Sequence, residues 1–403
     1  MPSREISPPE DRLFGNSPAI RSDLSIESWK INPENLSQAA KELWEQEIKS
    51  PIVVNEDRSL RAKILDACGM ACVFCHNEGT PVVSELRNVR DRNSRTLGRV
   101  SIYSHSNGVT FLPGRMKPDE LYRHAISSLK ESVGLEEIHL TGGEPSLHPE
   151  LAHLIKVASS EGLKVKMTSN GENPRSFAEY ADAGLESVVF SVFGSSAEEF
   201  SQVQGDRFNN AYLAQRKIDS LHSSIDEALA SGIRTKANVV VTGFGQESRV
   251  RNILEQFNGV SLRLLNSLDD GSESYAAIYE ILSGLGAKPK YTELTSGSSK
   301  VSVRYDLPDD SIIAFKQIRS ARFNHICNNC SVDREGRCEE GFYGLRLYVN
   351  ETGEYLVGMC IQRMDLVMHL DEFLKSDLPD RLKAYRNDEK QHMIERFGLG
   401  EKV

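Results

Sequence analysis

From residue 60 onward, short runs of apolar and β-branched residues alternate with longer amphipathic stretches. The short runs predict six strands, at residues 60–65, 137–141, 164–168, 187–193, 234–241 and 261–265. The stretches between them predict helices, for example at residues 118–131, 149–160, 176–183 and 219–231. Alternating strands and helices at this spacing predict a parallel sheet with right-handed crossovers, and six repeats favour a partial or full βα barrel.

Three regions follow from the same pattern. Residues 1–55 are predicted to be an N-terminal extension, with an amphipathic helix near residues 33–49 that packs on the outside of the main domain. Residues 56–270 are predicted to form the barrel, and residues 271–403 a cysteine-bearing C-terminal region. The predicted fold class is therefore α/β: a partial (βα)6 TIM-type barrel with an N-terminal helical extension and a C-terminal metal-binding segment.

Composition and charge set limits on the function. With 403 residues, of which 39% are hydrophobic and 26% charged, the chain is expected to bury a full core. No apolar run approaches the roughly 20 residues that span a bilayer, and the N-terminus lacks the apolar stretch of a secretory signal, so we expect a cytoplasmic protein without disulfides or membrane partners. A net charge of −10 argues against a broad nucleic-acid-binding face but allows a small anionic substrate.

Candidate chemistry begins directly after the first predicted strand, at Cys68, Cys72 and Cys75. Three thiolates at this spacing can bind three irons of one [4Fe–4S] cluster and leave the fourth iron without a protein ligand. Clusters that only transfer electrons normally have four cysteine ligands, so the trio indicates that a small molecule completes the coordination. The alternative is three buried structural thiols.

This spacing resembles that of radical S-adenosylmethionine (SAM) enzymes. The resemblance implies that the open iron chelates SAM, and that one electron from the cluster cleaves a carbon–sulfur bond to give a 5′-deoxyadenosyl radical. It also implies an electron donor such as flavodoxin or ferredoxin. In a barrel, reactive groups are expected at the carboxyl ends of strands, and the cysteine trio, a Gly-Gly-Glu-Pro turn and Ser191 all lie at predicted strand ends. The residues that the resemblance assigns to SAM are Phe74, Gly142, Gly143, Glu144, Ser191, Asn238 and Leu268.

Within that superfamily, residues 60–360 resemble the branch of the GTP cyclase of molybdenum cofactor biosynthesis. Its second cluster is bound by a C-terminal Cys-x-x-Cys and a later cysteine, with an Arg-Leu-Arg stretch between them. This chain keeps the order with Cys327, Cys330, Leu345-Arg346-Leu347 and Cys360, and adds Cys338. A fourth protein ligand would close the cluster. A Cys₄ zinc site is the alternative for the same four thiols.

The resemblance also implies a substrate site, at Arg61, Thr168, Lys236 and Arg346. Arginine grips phosphate or carboxylate bidentately and lysine adds a point charge, so an anionic nucleotide-like ligand is expected. Two departures from the cyclase, His139 and Gly344, replace arginines, so GTP is expected to bind poorly. A less charged nucleotide, a nucleoside or a sugar nucleotide fits better, as in nucleoside-antibiotic pathways.

The predicted function is a radical SAM enzyme that abstracts hydrogen from a small anionic nucleotide-like or nucleoside-like substrate and rearranges or cyclises it. Three alternatives remain: a peptide-modifying radical SAM maturase with an auxiliary cluster, a true GTP cyclase of molybdenum cofactor biosynthesis, and a non-catalytic iron–sulfur or zinc scaffold. More C-terminal cysteines and a peptide-binding N-terminal domain would be typical of the maturase. Iron, sulfide and SAM-cleavage measurements separate the scaffold from the enzymes.

Overall fold

The computed structural model describes residues 31, 33–70, 72, 114–204, 208–257, 259–267, 270–328, 330, 338, 340–361 and 363–399, and the backbone of residues 13–15. Three predicted site residues lie outside this description: Phe74, Cys75 and Leu268.

Fourteen strands of the described residues form one continuous sheet. They are β1 (Leu13–Gly15), β2 (Ile52–Glu56), β3 (Ser59–Lys63), β4 (Glu137–Thr141), β5 (Lys164–Ser169), β6 (Leu185–Ser191), β7 (Arg234–Val241), β8 (Ser261–Asn266), β9 (Lys288–Ser296), β10 (Lys300–Asp306), β11 (Ile312–Ile318), β12 (Leu345–Val349), β13 (Tyr355–Gly358) and β14 (Met368–His369). Their order across the sheet is β1-β2-β9-β10-β11-β8-β7-β6-β5-β4-β3-β12-β13-β14.

The middle of the sheet confirms the predicted α/β class. Strands β3 to β8 are neighbours in chain order and pair in parallel, as expected for consecutive strand–helix repeats. The sheet continues beyond both ends, because β11 pairs in parallel with β8 and β12 pairs in parallel with β3. The six repeats are therefore part of an open sheet. Of the two predicted forms, the partial barrel and the full barrel, the described strands form the partial one.

Eleven α-helices occur in the described residues. They are α1 (Gln38–Ile48), α2 (Glu120–Val133), α3 (Leu151–Ser160), α4 (Phe177–Ala183), α5 (Ala197–Gln202), α6 (Ala211–Ala230), α7 (Glu247–Gln256), α8 (Gly271–Gly284), α9 (Asn324–Cys327), α10 (Leu370–Lys375) and α11 (Leu378–Phe397). Helices α2, α3 and α4 bury apolar residues such as Leu129, Leu154 and Phe177 in the same core as the apolar faces of the strands. The opposite face of the strands is left for polar residues.

The first helix is anchored by a buried carboxylate. Helix α1 packs on α8 and β9, and its Glu47 is only 3% exposed. The Tyr279 hydroxyl donates to Glu47 Oε2 at 2.7 Å, and Gln317 Nε2 donates to Oε1 at 3.0 Å. The division at residues 55 and 270 stays a prediction, although strands on both sides of each boundary belong to one sheet.

Candidate functional site

The loop that follows β3 carries Cys68 and Cys72, and side-chain amides donate to both sulfurs. Asn170 Nδ2 lies 3.7 Å from Cys68 Sγ, and Gln204 Nε2 lies 3.1 Å from Cys72 Sγ. The backbones of Cys72 and Gln204 also form an isolated antiparallel bridge. Amide donors of this kind stabilise thiolate sulfur, the form in which cysteine binds metal.

An apolar cluster packs against one side of this loop. Met70 and Cys72 are buried together with Phe193, Phe200 and Phe208, and Cys68 packs against the same cluster. Phe200 stacks edge-on against both other rings, with centroids 5.9 Å and 5.2 Å apart. This side of the cysteine loop is therefore shielded from water.

The donor set fits an iron–sulfur cluster: two cysteines at the predicted spacing, each receiving an N–H donor, in a water-poor setting. The third predicted ligand, Cys75, lies outside the described residues. Within the described ranges, no group of three or more His, Cys, Asp or Glu side chains is placed to hold a metal ion. The ligand roles of Cys68, Cys72 and Cys75 stay predictions.

The Gly-Gly turn after β4 lies directly on the backbone that leads to Cys68. Gly143 N donates to Leu65 O at 2.9 Å, and Glu144 N donates to Ala67 O at 2.7 Å. A Cβ on Gly143 would lie 2.1 Å from Ala67 O, and one on Gly142, whose φ is +144°, would lie 2.4 Å from Leu65 O. Both glycines are thus required by backbone packing, in addition to their predicted contact with SAM.

Glu144 connects this turn to the loop after β5. Its buried carboxylate accepts hydrogen bonds from Ser146 N at 2.9 Å, Ser169 Oγ at 2.7 Å and Asn170 N at 2.6 Å. Burial raises the pKa of Glu144, while these hydrogen bonds act in the opposite direction. Because Asn170 donates to Cys68, Glu144 positions the cysteine loop through Asn170. Its predicted contact with SAM stays a prediction.

A second carboxylate holds the cysteine loop from the same side. Glu172 Oε2 accepts from Gly69 N at 2.9 Å and from Asn170 Nδ2 at 3.3 Å, and Glu172 also pairs with Lys217 of α6. The run Thr168-Ser169-Asn170-Gly171 was expected at the end of a predicted strand, but no role was predicted for Asn170 or for Glu172. Their place in the Thr168-Ser169-Asn170-Gly171-Glu172 run, at the carboxyl end of a predicted strand, was the available signal.

The concave face of the partial barrel carries a row of basic side chains. Arg346, Arg61, His139 and Lys166 are in register across β12, β3, β4 and β5. Residues paired in register on parallel strands project from the same face, so two predicted substrate residues are neighbours here. Arg346 is 4% exposed, and Lys166 pairs with Glu137.

The same face continues with more cations on the strands beyond β5. Lys236 lies on β7, and Arg263 of β8 donates its Nε to Asn238 Oδ1 at 2.9 Å. Strands β10 and β11 add Arg304, which pairs with Glu293 at 3.5 Å, and Lys316. Four cations of this face were not predicted as site residues: Lys166, Arg263, Arg304 and Lys316. They occupy polar positions in strands whose other face is apolar, as in Leu262-Arg263-Leu264, and this alternation is the sequence feature that indicates which face they share.

Crowding of positive charge controls protonation on this face. His139 Nε2 is 2.7 Å from Thr168 Oγ1, and burial together with Arg61 and Arg263 holds the pKa of His139 well below its usual range. His139 is therefore neutral near pH 7. Burial and the charges of Arg263 and Arg304 lower the pKa of Lys236 to about 7. An anion bound here would relieve both effects.

Tyr343 lies between cations from opposite sides of the concave face. The Arg61 guanidinium is 5.3 Å and the Lys316 ammonium 4.7 Å from its ring centroid. Burial by itself raises the pKa of Tyr343, but Lys316, Arg61 and Lys300 outweigh it and lower the pKa to about 8. The cations of this face therefore stabilise the deprotonated, negatively charged form of Tyr343.

Ser191 is the last residue of β6 and is paired in register with Asn238, which lies within β7. Both project from the same face as Lys236, and Ser191 lies at the carboxyl end of its strand, as does the Gly-Gly turn after β4. Their assignment to SAM stays a prediction, as does that of Thr168 and Lys236 to substrate.

The described C-terminal cysteines take part in several hydrogen bonds. Cys330 N donates to Cys327 O at 3.2 Å, Gly341 N donates to Cys338 Sγ at 3.3 Å, and Arg363 Nη1 lies 3.5 Å from Cys330 Sγ. Burial raises the pKa of Cys327 to about 11. A metal site at Cys327, Cys330, Cys338 and Cys360, whether an iron–sulfur cluster or zinc, stays a prediction.

None of the described helices is long and apolar enough to cross a membrane.

Comparison with known proteins agrees with the chemistry of the cysteine loop. Residues 63–256 match the family model described as the Radical SAM superfamily. Among solved structures, SuiB of Streptococcus suis bound to S-adenosylmethionine is similar at 13% identity and a TM-score of 0.45, over 88% of this chain and 69% of that chain. Coproporphyrinogen III oxidase (HemN) from Escherichia coli, a radical SAM enzyme, is similar at 10% identity and a TM-score of 0.34, over 70% of each chain. By the family-model match alone, residues 63–256 of this chain form a radical SAM superfamily domain.

Proposed function

We propose that this protein is a radical SAM enzyme whose substrate is a phosphorylated nucleotide or sugar nucleotide, bound on the concave face of the partial barrel. The observation that carries the proposal is the in-register row of Arg346, Arg61, His139 and Lys166 beside the loop of Cys68. When bound, a [4Fe–4S] cluster and SAM supply a one-electron cleavage and a hydrogen-abstracting radical.

The cation surplus of the concave face supports a substrate with more than one negative charge. Among the described residues of this face, Lys236, Arg263 and Lys316 add positive charge, whereas Glu137 and Glu293 are already paired with Lys166 and Arg304. The whole chain carries a net charge of −10, so this concentration of cations is local. Each charge-assisted hydrogen bond to phosphate contributes about 1.5–3 kcal/mol, which offsets the arginines replaced by His139 and Gly344.

The side chains of the face have separate tasks in this proposal. Arg61 and Arg346 grip the anion bidentately, and neutral His139 fixes Thr168 as a hydrogen-bonding partner. The turn at Gly143 and the Glu144–Asn170 link hold the cysteine loop at the carboxyl edge of the strands. The substrate is thereby kept beside the reacting centre in one orientation, which is the main contribution a protein makes to radical chemistry.

The direct test is anaerobic reconstitution with iron and sulfide, followed by reduction in the presence of SAM. We expect 5′-deoxyadenosine to form, with about four irons per chain for one cluster and about eight for two. Binding of zinc in place of iron, or a stable iron cluster that leaves SAM intact, would contradict the proposal. The iron count also distinguishes the two readings of the C-terminal cysteines.

Lys236 makes substrate affinity dependent on pH. Its pKa is lowered to about 7, so the side chain is charged below that pH and loses its charge above it. Affinity for UDP-glucose, whose diphosphate keeps its charge over this range, is expected to fall as pH rises from about 6 to 8.5. Lys236→Met should weaken binding about tenfold at the lower pH, and much less at the higher.

Calorimetric titration at both pH values measures this effect. Lys164→Met is the matched control, because Lys164 is an exposed lysine at the start of β5. We expect the control to bind like the parent protein. A pH dependence that survives in Lys236→Met would show that another group is responsible.

A further inference from the structure

Gln204 is a buried side chain that the proposed mechanism has not used. It follows α5 in sequence, is 5% exposed, and lies 132 positions from the cysteine whose sulfur it contacts. Its Nε2 donates to Cys72 Sγ at 3.1 Å, while Cys72 is itself 7% exposed. The two residues also pair through their backbones. The Gln204 amide thus donates a hydrogen bond to the Cys72 sulfur inside an otherwise apolar cluster.

We propose that Gln204 is a positioning residue that fixes the Cys72 thiolate and sets the reduction potential of the cluster bound there. The inference rests on the proposed function, since it requires Cys72 to be a cluster ligand. Reduction adds negative charge to a cluster and its sulfurs, and an N–H donor stabilises the more negative state. The Gln204 amide therefore favours the reduced cluster.

The surroundings make this single donor effective. Phe193, Phe200, Val203 and Phe208 form the apolar side of the cysteine loop, so the local dielectric constant is low and a hydrogen bond there is electrostatically strong. Cys68 receives its amide from Asn170 at the longer distance of 3.7 Å. The shorter contact at Cys72 is expected to have the larger effect on the potential.

The experiment is an EPR-monitored redox titration of the reconstituted full chain. The signal followed is the one that changes when SAM is added, which separates this cluster from any cluster at the C-terminal cysteines. Gln204→Leu removes the donor at similar volume, and Gln204→Glu replaces the amide with a carboxyl group of the same shape. Gln202→Leu is the matched control, because Gln202 is exposed two positions away at the end of α5.

We expect Gln204→Leu to lower the equilibrium constant for reduction about three- to tenfold, the effect of one hydrogen bond; tenfold corresponds to about 59 mV for one electron. Gln204→Glu is expected to lower it further, and Gln202→Leu to leave it unchanged. Iron loss in Gln204→Leu with an unchanged potential in the remaining clusters, or full iron with an unchanged potential, would overturn the inference. If the parent protein shows no SAM-responsive cluster, the proposed function fails instead.

Discussion

Replacement of Cys72 by alanine is expected to reduce formation of 5′-deoxyadenosine to background. In the proposed site, three cysteines leave no spare protein ligand for a cluster that keeps one iron open, so the loss of one thiolate is expected to remove the site rather than weaken it. Cys72 is buried and its sulfur accepts the Gln204 amide, so alanine also leaves that donor without its sulfur partner. Iron content, visible absorption of the reconstituted chain and SAM cleavage are the measurements.

Cys72→Ser separates the chemical loss from a folding defect. Serine is close in shape and its hydroxyl accepts a hydrogen bond from Gln204, so we expect a native circular dichroism spectrum with the same loss of SAM cleavage. Gln202→Leu, on the neighbouring helix end, again serves as the folded and active reference. Undiminished SAM cleavage in both Cys72 variants would exclude the proposed cluster site.

The sequence predicts the centre of this fold well because its signals there are local. The parallel strands repeat an alternation of apolar and polar residues, and the predicted strands at residues 137–141 and 234–241 have the bounds of β4 and β7. The same alternation places Arg61, Thr168 and Lys236 on one face once the strands are paired in register. A polar face shared by these three residues could therefore be expected from the sequence.

Strands β1, β2 and β9 to β14 were not predicted. Strands β9, β11 and β12 join the sheet by parallel pairing with β2, β8 and β3, which are distant in sequence, whereas β10, β13 and β14 pair with their neighbours in the chain. Strand β9 begins Lys288-Pro289-Lys290, which is a poor strand signal, yet it pairs in parallel with β2 some 240 positions earlier in the chain. Strand β11 joins β8 in the same way. The cations of these strands, Arg304 and Lys316, could be assigned to the concave face only after those pairings were seen.

The structural roles of Glu144 and of the two glycines could not be predicted from the sequence, for a different reason. A motif match assigns them to SAM, but only the structure shows that Glu144 accepts three hydrogen bonds from its own neighbours and that Gly143 lies against the Ala67 carbonyl. Such contacts form only where two loops meet in the folded protein, so the sequence of either loop alone does not predict them. The contacts of this motif with the cysteine loop are therefore observed, whereas its contact with SAM stays a prediction.

Gly143→Ala is expected to damage the cysteine loop without touching a cysteine. The added Cβ would lie 2.1 Å from Ala67 O and 2.5 Å from Asp66 O, and backbone atoms, unlike the end of a flexible side chain, have little room to move away. The loop must shift, at a cost of about 1–3 kcal/mol or more in the free energy of unfolding. We expect a lower melting temperature, and iron retention well below that of the parent protein after reconstitution.

Gly243→Ala is the matched control for this substitution. Its Cβ would meet only the carboxylate end of Glu273, at 3.1 Å, and that side chain can rotate aside. Both variants remove a glycine and add one methyl group, so the comparison isolates the contact with the cysteine loop. If Gly143→Ala melted and bound iron like Gly243→Ala, the turn after β4 would not position the cluster ligands, and the link from the Gly-Gly motif through Ala67 to Cys68 would have to be abandoned.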